Sequence, residues 1–476
     1  MLALLRIQPP RGVAVACLLG MVSSLASAQA KPAPGQEKTS RYMESVRNQP
    51  LLLEAFLRQM PKGGDLHNHL PGAIYAESFI NYAVDNGMCV DQVSSALLPA
   101  PCDVAKGRPE ARAAYTDPLL YNQLLDAFSM RQFIPGRESG HDHFFATFPK
   151  FMPAMPGHTA EMLAEVTSRS AANHLQYLEL IFNPDGGQAG ALGLKVPWSN
   201  DFGKVRQELL RAGLGDVIAQ ASRGLDQAEE KKNQLLHCGQ PQADPGCKVQ
   251  VRFIYEVARG LPKEMVFAQI LAGFEMASRD PRVVGLNLVM PEDWYVPIHD
   301  FNLHMEMLDY LHKLYPMVHI SLHAGELTAQ LAPPEELFHI RASINRGHAE
   351  RIGHGIDVMH ESDPFALLRQ MAAQHVLVEI CLTSNDVILN VTGMKHPLPV
   401  YLRYGVPVAL ATDDAGVSRS DITHEYLRAV ETYHLTYSDL KKMARASITY
   451  SFLSAPDKAK VQAQLEAALA EFEQGF

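Results

Sequence analysis

Two histidines one residue apart, His67 and His69, close the short stretch Lys62-Gly63-Gly64-Asp65-Leu66-His67-Asn68-His69-Leu70. In an extended strand, residues i and i+2 face the same way, so both imidazoles can address one point. Such a pair suits a borderline metal such as zinc, although H-x-H also occurs in ordinary cores and on surfaces. Its meaning depends on further ligands. The chain offers them in Ser-Leu-His323-Ala-Gly-Glu326, in Arg-Ile-Gly-His354-Gly-Ile-Asp, and in Ala-Leu-Ala-Thr-Asp413-Asp414-Ala-Gly. Taken singly, Asp413-Asp414 reads as a turn, His354 as packing between glycines, and Glu326 as a carboxylate capping a helix. Taken together, they all end short apolar runs. Three nitrogens and one carboxylate, from His67, His69, His323 and Asp413, leave room for a water, as a catalytic rather than a structural zinc site requires.

Eight such runs recur, most of them β-branched: Asp65–His69, Gln176–Phe182, Val249–Val257, Val283–Val289, Val318–His323, Arg351–His354, Val376–Cys381 and Pro407–Thr412. Helical patterns lie between them, for example Thr159–Asn173, Lys263–Ala277 and Pro364–Gln374. Alternating strands and helices predict an α/β fold with parallel sheet, and eight units predict a (β/α)8 TIM barrel with its site at the C-terminal strand ends. An open doubly wound sheet is the alternative, but no Gly-rich phosphate loop follows the first strand. Two insertions interrupt the pattern, at 84–158 and at 185–248, the second with a charged helix over Asn200–Leu236. A helix over Arg41–Met60 precedes the barrel, and helices over Ser438–Ser451 and Pro456–Gln474 follow it.

The 476 residues are 47% apolar and 20% charged, enough for a large core, and the formal charge of −10 argues against a nucleic-acid partner. Residues 1–28 read as a signal peptide: Arg6 and Arg11, an apolar run from Gly12 to Ala26, and a cleavage site at Ala26-Ser27-Ala28. Apolar sequence continues past Cys17, which argues against a lipoprotein anchor. Residues 29–60 then form a polar linker and the N-terminal helix, and 61–476 the barrel. The mature chain is expected to be exported, periplasmic or secreted, without a membrane span. In an oxidising compartment Cys89 with Cys102, and Cys238 with Cys247, are expected to form two local disulfides, while Cys381 lies in an apolar run as a buried thiol.

The motifs His67-Asn68-His69-Leu70-Pro71-Gly72-Ala73, His323-Ala324-Gly325-Glu326, Arg351-Ile352-Gly353-His354-Gly355 and Thr412-Asp413-Asp414 together resemble the adenosine deaminase branch of the amidohydrolase superfamily. The exported adenosine deaminase-related growth factor type is the nearest in character. Ser384-Asn385 and His396-Pro397 are softer matches. The resemblance runs from about Pro61 to Tyr450 and implies hydrolytic deamination at purine C6. It assigns one zinc ion to His67, His69, His323 and Asp413, proton delivery to purine N1 to Glu326, and a hydrogen bond at N7 to Asp414. His354 would stabilise the attacking hydroxide and take its proton, and Asp413 could accept a hydrogen bond from it. The Pro-Cys-x-x-Cys of the other zinc deaminases is absent from the sequence. The fourth run also lacks the bridging lysine usual in binuclear amidohydrolases, so one metal is expected.

Two departures touch the substrate side. Pro71 stands where the family typically has an acidic residue near the ribose, and Met290 where a glycine usually meets the purine. Glu292, Asp293 and Trp294 are candidates for replacement contacts. Adenosine or 2′-deoxyadenosine is the expected substrate, with another 6-aminopurine or modified nucleoside as the alternative. A barrel acting mainly as an extracellular binding module is the reading from a different class, and a homodimer stays open. The second H-x-H, His141-Asp142-His143, falls in the first insertion and on no barrel strand, so it reads as pocket lining or helix capping.

Overall fold

A computed structural model describes residues 34–476; the expected signal peptide, Cys17 and the start of the linker lie outside the described residues. Eight strands form one sheet: β1 (Gly63–His69), β2 (Leu175–Phe182), β3 (Gln250–Ala258), β4 (Val283–Val289), β5 (His319–Ala324), β6 (Arg351–His354), β7 (Leu377–Ile380) and β8 (Val408–Leu410). Each pairs in parallel with the next. The ring closes between β8 and β1 through a parallel bridge of Asn68 with Asp413. There the Asp413 amide donates to the His67 carbonyl at 2.9 Å, and the His69 amide to the Asp413 carbonyl at 3.2 Å. The (β/α)8 barrel is therefore the fold, and every expected run returns as a strand with ends shifted by no more than two residues.

The barrel is sheathed by helices whose apolar faces turn inward, as their 3.6-residue periodicity requires. Lys263–Ala277 is buried along most of its length because helices Gln188–Gly193, Phe202–Arg211 and Leu214–Leu235 of the second insertion pack over it. The C-terminal helix Ala455–Gln474 seals the opposite end of the barrel. Its Val461, Leu465 and Leu469 pack with Leu66, Tyr177, Leu377 and Ala409. That leaves the C-terminal strand ends as the open face.

Two expected helices are each two helices. Arg41–Met60 is interrupted because Pro50 starts a new helix, Pro50–Gln59, and forces Gln49 before it out of the helical region (φ −124°, ψ 83°). The Asn200–Leu236 pattern breaks at Ala212-Gly213 into Phe202–Arg211 and Leu214–Leu235. Both cysteine pairs are bonded, with Cα atoms 5.3 Å apart for Cys89–Cys102 and 5.6 Å for Cys238–Cys247, and Cys381 is free and buried. Each bond shortens a loop of the unfolded chain, worth on the order of 2–4 kcal/mol.

Candidate active site

Strand pleat brings His67 and His69 to one face of β1, and barrel closure brings β5 and the end of β8 against it. The Nε2 atoms of His67 and His323 lie 3.0 Å apart, and those of His69 and His323 3.2 Å. Asp413 Oδ1 is 3.4 Å from His67 Nε2 and 3.3 Å from His69 Nε2. Ligands held by a tetrahedral zinc at its usual bond lengths stand about 3.3 Å from one another. The far sides of the rings settle the protonation. His67 Nδ1 donates to Glu379 Oε2 at 2.7 Å, and His323 Nδ1 donates to Asn287 Oδ1 at 2.8 Å, an oxygen that also accepts from the His323 amide. With Nδ1 protonated in both rings, the two Nε2 atoms 3.0 Å apart would oppose their lone pairs unless a metal ion or a proton lies between them. A metal ion fits this donor set.

The electrostatics agree. Burial opposes charge on His67, but its hydrogen bonds to Asp413 and Glu379 outweigh this and push the imidazole up to about 10. Without a metal, the site thus collects a proton. Burial likewise opposes ionisation of Asp413, yet the His67 hydrogen bond and the neighbouring histidines hold it well below the usual carboxylate range. Ser384 Oγ donates to its other oxygen, Oδ2, at 2.5 Å. Beneath the histidines, Glu379 also accepts from Ser321 Oγ at 3.0 Å and pairs with Arg351 Nε at 2.7 Å, and Arg351 reaches Glu179 at 2.5 Å. This network spans β2, β5, β6 and β7 and fixes Glu379, and with it the His67 ring.

Glu326 and His354 stand beside the cluster, with Glu326 Oε1 3.6 Å from His354 Nε2. Burial, then the charges of Asp413 and Glu292, push the Glu326 carboxyl up to about 8, so it is protonated at neutral pH. Asp414, also in the cavity wall, lays its Oδ1 over residue 72, buried and without a partner. It reaches there only because residue 72 is glycine: a Cβ on Gly72 would sit 1.5 Å from that oxygen. Gly353 plays the same part for His67, whose Cε1 would be 2.6 Å from a Cβ there. Three non-glycine residues here hold left-handed backbone: His354 (φ 68°), Asp413 (φ 57°) and Met290 (φ 84°). Each costs on the order of 1 kcal/mol or more, strain that functional sites typically carry.

These groups line one end of a cavity of about 380 Å³, with His69, His323, Glu326, Asp413 and Asp414 in its wall. The other walls are mostly apolar, Phe144, Phe145, Phe148 and Met152 from the first insertion with Met290, Trp294 and Ile388, and the one further carboxyl group among them is Glu256, at the end of β3. Ser139 caps the helix Gly140–Phe151 that carries the phenylalanines, its hydroxyl accepting from the Asp142 amide. His141 Nε2 ties that helix to Asp293, after β4, at 3.0 Å. His143 contacts Glu138 and the Ser129 carbonyl. The second H-x-H thus lies on no barrel strand, as expected, but it neither lines the cavity nor caps the helix: Ser139 caps it, and the histidines anchor it to its neighbours.

Met290 lines the cavity, but Glu292 does not, and its expected substrate contact is corrected. Its buried carboxylate turns away to accept from the amides of Gly325 (3.2 Å) and Glu326 (2.8 Å), and it pairs with His339 Nδ1 at 2.5 Å. It holds the Glu326 backbone instead. Sequence reasoning missed Glu379, Asn287 and the phenylalanine wall. A lone carboxylate in Val376–Cys381 and a lone amide in Val283–Val289 were the available signals, since buried polar groups in strands need partners.

An adenosine deaminase family model matches residues 154–468. The adenosine deaminase of Pectobacterium atrosepticum is 34% identical over 188 residues, 39% of this chain and 51% of that protein, so the chain spans about half the length of this curated relative. Among solved structures, the apo N6-methyl-AMP deaminase from Arabidopsis thaliana is 22% identical at a TM-score of 0.57, covering 88% of this chain and 99% of that one. An amidohydrolase from Burkholderia ambifaria with bound zinc is 17% identical at a TM-score of 0.56, covering 89% and 94%. The family match begins after β1, and the fold brings His67 and His69 back to the matched β5 and β8 motifs. On that match and that convergence, this chain belongs to the adenosine deaminase family.

Proposed function

We propose that the chain is a metal-dependent hydrolytic deaminase of 6-aminopurine nucleosides, acting on adenosine or 2′-deoxyadenosine. One observation carries this reading: a three-histidine, one-aspartate cation site meets a protonated carboxyl group, Glu326, at the end of one cavity. His67, His69, His323 and Asp413 would hold one zinc ion per chain. Zinc bound there acidifies water so that hydroxide is available near pH 7.

Glu326 is the proton donor. Transfer of its proton to purine N1 makes C6 electrophilic, the step for which burial keeps the carboxyl protonated. His354 Nε2 faces the attacking oxygen, Asp413 accepts a hydrogen bond from it, and Asp414 shares a hydrogen bond at N7. Water adds at C6; one of its protons restores the one that Glu326 gave to N1, the other passes to the exocyclic nitrogen as its bond to C6 breaks, and ammonia leaves the inosine product, which keeps the N1 proton.

The Arabidopsis neighbour acts on a nucleotide, whereas the lining described for this cavity contains no Lys or Arg to meet a phosphate, which supports a nucleoside. A modified nucleoside is the second reading, favoured by Met290 and the phenylalanine wall. The disulfides accord with export to an oxidising compartment. The test is a UV spectral assay of purified protein with adenosine, 2′-deoxyadenosine, adenine and adenosine monophosphate, before and after chelation. Chelator-sensitive conversion of the nucleosides is expected. No turnover of any of the four, with metal bound stoichiometrically, would overturn the adenosine reading and favour a binding module.

A further inference from the structure

Two buried side chains outside the cation site connect His354 to a backbone amide, and the chain of hydrogen bonds has only one consistent direction. The Leu398 amide lies 3.1 Å from His396 Nδ1. A backbone N–H can only donate, so His396 Nδ1 accepts, and the proton of this neutral ring sits on Nε2. Burial keeps His396 uncharged, pushed down to about 3. His396 Nε2 is 3.1 Å from Asn385 Oδ1 and donates to it. This orients the Asn385 amide, whose NH2 then faces His354 Nδ1 at 2.9 Å. An NH2 group can also only donate. His354 Nδ1 is thereby the acceptor, and its ring proton must sit on Nε2, the atom that is buried without a partner and stands 3.6 Å from Glu326.

We infer that Asn385 and His396 are positioning residues that fix His354 as a hydrogen-bond donor toward the reacting atoms. The direction originates at the Leu398 amide, at the first residue of the helix Leu398–Tyr404, and passes through two side chains that line neither the cavity nor the cation site. His354 then stabilises the attacking oxygen by donating to it. It does not serve as the base that takes its proton, the role that resemblance to the family alone suggested. The same relay bars His354 from lending Nε2 to the cation as a further ligand, although this histidine lies within the same 4.8 Å cluster as His67, His323 and Asp413.

The kinetic part of this inference rests on the deaminase reading; the tautomer does not. The deciting variant is Asn385→Asp, which keeps shape but replaces the donor with an acceptor. Metal-loaded protein labelled with 15N only at histidine is compared by NMR with the unsubstituted protein, with His354→Gln used to assign the resonance. The Nε2–H tautomer of His354 is expected in the unsubstituted protein, and the Nδ1–H tautomer or the imidazolium in Asn385→Asp. With adenosine, kcat should fall about 10- to 100-fold at unchanged metal content, as for other residues that orient an active group, while KM moves by less than about threefold. If Asn385→Asp does not fold, Asn385→Ala removes the donor and should give a mixture of tautomers. A bare Nε2 in the unsubstituted protein, or an unchanged tautomer in whichever variant folds, overturns the inference. Failure to turn over any 6-aminopurine would instead count against the deaminase reading, with the NMR result still deciding the relay.

Discussion

The two ends of the cavity are built on opposite plans. At the barrel end, several polar groups are held from behind by directional bonds: His67 by Glu379, His323 by Asn287, Asp413 by Ser384 and the Glu326 amide by Glu292. At the outer end, Phe144, Phe145 and Phe148 sit on one insertion helix and pack by ring contacts alone, with Phe144 and Phe148 5.8 Å apart between centroids. Directional bonds hold atoms to within tenths of an ångström, as bond-making requires, whereas apolar contacts tolerate a shift. On the proposed function, the first end sets the reaction type and the second the choice of substrate.

Four experiments separate the two ends. Glu326→Gln should show the largest effect, a loss of about 10²- to 10⁴-fold in kcat with metal content and melting temperature preserved. Rates near those of the unsubstituted protein, read by the UV assay, would remove Glu326 from proton transfer. Glu379→Gln comes next: metal affinity by chelator competition should fall about 10- to 100-fold. Its broken pairing with Arg351 should cost roughly 3 kcal/mol in denaturant unfolding. Phe148→Ala tests the outer end. It should raise KM about 10-fold with kcat little changed, and a collapse of kcat instead would erase the distinction drawn above.

The smallest effect belongs to the contact between the ends. Hydrogen bonds to Asp293 and Asp142 outweigh burial and push His141 up to about 9. A histidine whose folded value is raised contributes fully below its unfolded value near 6.5 and loses the contribution as pH rises through about 9. Melting of the native protein and of Asp293→Asn should therefore differ most near pH 6, by about 1 kcal/mol, and converge by about pH 10. A constant difference across that range would show that His141 is not charged.

Much of the first end was legible in the sequence because its residues punctuate strands. His67, His69, His323, His354 and Asp413 interrupt apolar runs at their C-terminal ends, where barrel topology leaves a single meeting place. Glu379 and Asn287 lie inside runs, and their role depends on which neighbour the register brings opposite, so only their oddity was visible. Glu292 was misjudged for a related reason: position after β4 suggests the cavity, but nothing local says that two amides and His339 draw the carboxylate behind Glu326. The phenylalanine helix was hidden because an insertion has no strand register to orient it. Pro50 shows a local signal overlooked, since the residue before a proline resists helix and the break at Gln49 follows.

The bridge of Asn68 with Asp413 has one more consequence. It is the last stitch of the sheet, and its two sides carry donors proposed for the cation, His67 and His69 on one and Asp413 on the other. An ion seated there ties together stretches of chain separated by more than three hundred residues, so binding it and finishing the ring are one event. No half of this polypeptide carries the whole donor set. Shortened chains that stop before Asp413 should lose the ion altogether, and amide exchange along this seam should quicken before any other strand pairing when the ion is withdrawn.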